Sequence, residues 1–100
     1  TSVTGDVLTY LGTNKALEAN PTNTNTVLFT SAKFLTAPTG LPTTSKTSFT
    51  YFVNGQLIEP TAVTSFTDNN NNTCTLVVDV GQLGFTLVVT DEIVAIGKFE

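Results

Sequence analysis

The sequence predicts an all-β protein: an antiparallel β-sandwich or small β-barrel of about seven or eight short strands with an extended N-terminal arm. Three observations carry that expectation. Asn54-Gly55 stands between two runs of β-branched and aromatic residues, and a two-residue Asn-Gly loop accepts the positive φ angles of a type I′ turn. Turn-forming clusters recur at intervals of about 8 to 12 residues, the spacing of a sandwich or barrel. No segment carries an amphipathic helical repeat.

The elements follow in order. Val3 to Leu11 has strand character, with Val7 and Thr9 on one face and Leu8 and Tyr10 on the other. Gly12 to Thr26 is polar, rich in Asn and Thr, and contains Pro21; it reads either as a long loop or as an arm lying along a neighbouring subunit. Within it, Lys15 to Ala19 is the one stretch suited to a helical turn. Residues 1–26 are thus an N-terminal strand and arm, and residues 27–100 the sandwich or barrel, in one structural domain overall. Val27 to Leu35 is a strand, and the Pro- and Gly-containing stretch 37–46 a loop. In the hairpin, Phe49, Tyr51 and Val53 face one way and Ser48, Thr50 and Phe52 the other. Its return strand stops at Pro60, which has no N–H for a ladder. A short strand over Ala62–Thr67 leads through the turn Asp68–Asn72 into Thr73–Val80, whose even-numbered residues form a core face. Gly81–Gly84 breaks that strand, Phe85–Val89 restarts it, and Glu92–Phe99 closes the chain. Both alternating sets of the last strand are largely apolar, which predicts cover on both faces or contact with a partner.

Composition narrows the function. The chain has 100 residues, of which 12% are charged and 21 are threonine. About 25% charged is usual, so this surface is poor in charge and easily desolvated; strand propensity explains the threonines equally well. A net charge of −4, four lysines and no arginine argue against a nucleic-acid partner. No apolar run is long enough to span a membrane, and the first twelve residues lack the basic start and apolar stretch of a signal peptide. The chain lacks Met and begins Thr-Ser, as a complete product would after loss of the initiator, or as a fragment would.

The residues offer little chemistry. There is no histidine, so the commonest general base and metal ligand is missing. Cys74 is alone in a strand, which rules out an internal disulfide and leaves it without a partner base. The eight acids sit mostly in or beside turns, and no two of them stand out as a hydrolytic pair. Asp68–Asn72 and Asp91-Glu92 resemble calcium loops in composition without the ligand spacing. Asn71-Asn72-Thr73 fits a glycosylation acceptor, and Gly81–Gly84 lacks the lysine and helix of a phosphate loop. The phenylalanines are core candidates. No catalytic, cofactor or metal residue is assigned, and no enzymatic activity is expected.

The run Tyr51-Phe-Val-Asn-Gly-Gln-Leu-Ile-Glu-Pro60, the turn Asp68–Asn72, the strand Thr73–Val80 and the closing Asp91-Glu-Ile-Val-Ala-Ile96 together resemble a β module of tailed-bacteriophage structural proteins. The resemblance covers about residues 47–100. It implies a virion structural subunit assembled in the host cytoplasm, foremost a capsid decoration (cement) protein acting as a homotrimer on the major capsid protein. The alternative it implies is a fibre, neck or tail component, with a receptor- or glycan-binding role through the loops 37–46 or 68–72. No functional residue is carried over from this family.

Overall fold

The structure is a computed structural model, and it describes residues 2–100. Among them, the chain runs α1 (Ser2–Gly12), β1 (Lys15–Ala19), β2 (Thr26–Thr30), β3 (Thr50–Val53), β4 (Gln56–Ile58), β5 (Val63–Asp68), β6 (Thr73–Val78), α2 (Val80–Leu83) and β7 (Ile93–Gly97). The strands form two antiparallel sheets, one of four in the order β1-β7-β3-β4 and one of three in the order β2-β6-β5. The sheets share one core, so the all-β expectation resolves to a sandwich.

Local chemistry explains both hairpins. At the β3–β4 turn, Asn54 has φ 51° and Gly55 φ 81°, the left-handed pair that the two-residue loop requires. At the β5–β6 turn, Asn70 and Asn72 take φ 62° and 68°, which asparagine tolerates best after glycine. There the Asp68 carboxylate accepts the Asn70 N–H (2.8 Å), closing the loop on itself.

Alternation along β2, β3, β6 and β7 fills the core, and β5 joins them across a bulge between Val63 and Ser65. Tyr51 and Val53 of β3, Ile93 and Ala95 of β7, Val27 and Phe29 of β2, Val63 and Phe66 of β5, and Cys74, Leu76 and Val78 of β6 are all buried. Phe66 lies at the centre. Its ring neighbours those of Phe29, Phe34, Phe49, Tyr51 and Phe99 at centroid separations of 4.8 to 5.9 Å, edge-on in each case. The Tyr51 hydroxyl donates to the Lys46 carbonyl (2.7 Å), so its one polar atom is satisfied inside the core. Gly97 ends β7 where the Phe49 ring crosses; a Cβ there would overlap that ring and lie 2.9 Å from the Ser48 carbonyl oxygen.

Several expectations for individual segments are corrected. The strand expected over Val3–Leu11 is helical, α1. Val7, Tyr10 and Leu11 are spaced i, i+3, i+4, a helical period that the β-branched residues obscured. The stretch 12–26, expected as a loop or arm, contains β1, and Lys15–Ala19 is a strand rather than a helical turn. It owes this to the free edge of β7, with which it pairs from Lys15↔Gly97 to Ala19↔Ile93. The strand expected over Val27–Leu35 ends at Thr30, where Ser31 takes φ 50°. The strand expected over Thr73–Val80 ends at Val78. Asp79 then caps α2 by accepting the Gly81 and Gln82 N–H groups (3.0 and 3.2 Å), and Gly84 closes the helix at φ 91°. Phe85–Val89 is not a strand; only Leu87 of that stretch is buried, and its N–H bonds the Thr24 carbonyl rather than a ladder.

Candidate interaction surface

Register determines which side chains share the outward face of the four-stranded sheet. Leu57 of β4 opposes Phe52 of β3, Phe52 opposes Val94 of β7, and Val94 opposes Glu18 of β1. One row along, Thr50 opposes Ile96, which opposes Ala16. Directly opposed residues lie on the same side of a sheet, so Leu57, Phe52, Val94 and Ile96 form one apolar group. Phe52, Val94 and Ile96 are half-buried and Leu57 is 61% exposed. Glu18 is the one charged side chain in the two rows. The sequence foresaw that β7 is apolar on both faces. It did not reveal that Phe52 and Leu57 extend the stripe, because that depends on strand pairing.

Helix α1 is held to the 42–44 stretch and to Lys98. Tyr10 anchors it: the ring is buried, and its hydroxyl donates to the Pro42 carbonyl (3.0 Å) and lies 3.3 Å from the Thr44 hydroxyl. The Lys98 ammonium sits 5.8 Å over the Tyr10 ring and donates to the Leu11 carbonyl (2.8 Å), completing the helix C-terminus with a cation. Leu8 and Leu11 of the helix are exposed, at 66% and 57%.

Several carboxylates and amides of the turns hydrogen-bond within the fold. Asp68 accepts the Phe34 N–H (3.0 Å) as well as that of Asn70. Asn69 bonds the Thr73 and Thr75 hydroxyls, and Asn71, the acceptor-pattern asparagine, takes the Thr73 hydroxyl. The Asp91 carboxylate accepts from the Asn54 side-chain amide (3.0 Å) and from the Val88 N–H (2.9 Å); the first of these bonds, then the second, hold it below its ordinary ionisation range. Cys74 is fully buried, with its thiol toward the Ala32 carbonyl (3.5 Å). Burial first, and the Asp68 charge second, push its ionisation up to about 12, so it is no nucleophile at neutral pH. Among the described residues no three His, Cys, Asp or Glu side chains converge as metal ligands. Among the same residues no helix is long and apolar enough to cross a membrane.

Two depressions flank the sandwich. One, of about 260 Å³, lies along the short edge strand β4 and is lined by Leu57, Glu59, Leu83 and Phe85 among others. The other, of about 460 Å³, lies between α1 and residues 35–39. Tyr10 lines the second with its ring buried and its hydroxyl already bonded, so it offers no free aromatic platform for a sugar. No protein-family model matches the chain, no curated protein matches its sequence, and no solved structure matches its fold.

Proposed function

We propose that this protein is a non-enzymatic structural subunit of a bacteriophage virion, acting as a capsid decoration protein that self-associates, as a trimer, and seats on the major capsid protein. The observation that carries the reading is the outward apolar stripe Leu57–Phe52–Val94 with Ile96 beside it. A sheet face of this kind gains most from burial against another protein, at about 25 cal/mol per Å² of apolar area covered. The resemblance of residues 47–100 to phage β modules supplies the particle. The low charge supports the same reading, because few solvated ions must be stripped when the surface is covered.

Sedimentation of the purified chain, alone and with shells assembled from the major capsid protein encoded in the same genome, tests the reading. A trimer that co-sediments with the shells is expected. Ile96→Lys, which puts a charge beside the stripe, should reduce association while leaving the β circular-dichroism spectrum intact. A strict monomer that ignores the shells would overturn the proposal.

A further inference from the structure

Asn54-Gly55 is the one Asn-Gly pair in the chain. Such a pair is chemically special, because glycine leaves its own backbone nitrogen sterically open. That nitrogen, once deprotonated by solvent base, can bond to the asparagine side-chain carbon Cγ. The Cγ–Nδ2 bond then breaks and ammonia leaves, closing a five-membered imide. Water reopens the ring at either carbonyl, giving aspartate or isoaspartate. The step involves no redox change, and its one co-reactant is water.

The structure places Asn54 in a clamp. Its Nδ2 donates to Asp91 Oδ1 (3.0 Å) and its Oδ1 accepts the Glu92 N–H (2.8 Å). Its own N–H donates to the Glu92 carbonyl (2.7 Å). Asp91 is fixed in turn by the Val88 N–H, and its carbonyl accepts from the Asn20 side chain (2.8 Å). Both ends of the carboxamide therefore point at the 88–92 turn, and both bonds must break before Cγ can swing toward the Gly55 nitrogen.

We infer that Asn54 is a site of spontaneous deamidation whose rate is set by its clamp to the 88–92 turn, and whose conversion opens that clamp. The product is incompatible with the arrangement in two ways. An aspartate at position 54 has no side-chain N–H to give Asp91 and sets a second carboxylate against it. An isoaspartate adds a backbone atom to a two-residue turn, which shifts the register of β4 against β3 and moves Leu57 relative to Phe52.

The test follows the amide-to-acid mass gain at residue 54 by peptide mapping, in mildly alkaline buffer, for the whole chain folded and for the same chain in urea. Folded protein should convert about tenfold or more slowly, because opening sacrifices two side-chain hydrogen bonds. Asp91→Ala, folded, should convert faster than the folded wild type. In wild-type protein converted to isoaspartate the Glu92 N–H should lose its hydrogen-exchange protection, because the acceptor oxygen moves with the lengthened backbone. Equal rates in the folded and unfolded chains would overturn the inference. So would a folded Asp91→Ala chain that converts no faster, or a Glu92 N–H that stays protected after conversion to isoaspartate.

Discussion

The two sheets turn different chemistries to the outside. The outward rows of the three-stranded sheet read Leu28–Thr75–Thr67, Thr26–Val77–Ser65 and Thr30–Thr73, so hydroxyls dominate. Those of the four-stranded sheet read Leu57–Phe52–Val94–Glu18 and Thr50–Ile96–Ala16, so apolar groups dominate. Both sheets use β-branched residues, and both bury their inward faces in one core. Threonine and valine or isoleucine have the same stiffness at χ1 and similar strand propensity, so either face satisfies the backbone equally. The contrast therefore lies in solvation rather than in folding. One outward face is mainly hydroxyl and the other mainly apolar, and the proposed self-association rests on the second.

The strongest way to break the comparison is to remove what both sheets share. Phe66→Ala deletes the ring that five other aromatic rings surround, and should cost about 3–5 kcal/mol in urea unfolding monitored by circular dichroism. Gly97→Ala should cost less, about 1–3 kcal/mol in the same measurement, as the Phe49 ring and the Ser48 carbonyl give way to the new methyl. Exchanging the chemistries of the outward faces sharpens the contrast. Phe52→Thr should change stability by about 1.5 kcal/mol or less, since the side chain is only half-buried, yet it should weaken the proposed self-association in sedimentation. Thr75→Val in the other sheet should leave association unchanged.

Expectations that rested on short-range chemistry held. The Asn54-Gly55 turn, the 68–72 turn and the inward set Phe49, Tyr51 and Val53 depend on neighbours within a few residues, and the structure places them as read. Expectations that depended on distant pairing failed. Lys15–Ala19 has the composition of a helical turn and became a strand because β7 offered an edge. Phe85–Val89 has the composition of a strand and did not become one; the Val88 N–H bonds the Asp91 carboxylate and the Leu87 N–H a loop carbonyl. The apolar stripe was half legible for the same reason. Val94 and Ile96 stand out in the sequence of β7, whereas Phe52 and Leu57 join them only through register.

The effects of pH divide the molecule as well. Cys74 is buried inside, and its ionisation rises from near 9.0 to about 12. Folding therefore favours the neutral thiol. That stabilisation is whole below pH 9 and is lost as pH climbs toward 12, a decline to which the raised phenol of Tyr51 adds. Urea midpoints recorded against pH should fall over this range, and Cys74→Ala should remove the thiol's part of the slope. Asp91 lies outside and behaves in the opposite sense. Its lowered ionisation contributes stability that is present above its ordinary value of 3.8 and lost as pH falls through the lowered one. Asn54→Ala should flatten that acid limb.

The placement of the two tyrosines gives the protein built-in optical reporters. There is no tryptophan, so near-ultraviolet emission comes from Tyr10 and Tyr51. Tyr51 sits in the core with its hydroxyl on the Lys46 carbonyl, while Tyr10 pins α1 to the 42–44 loop beneath Lys98. Tyr10→Phe leaves a chain whose emission reports the core alone, and Tyr51→Phe leaves one that reports helix docking alone. Release of the helix and melting of the sandwich can then be timed separately in one cuvette, without any added label.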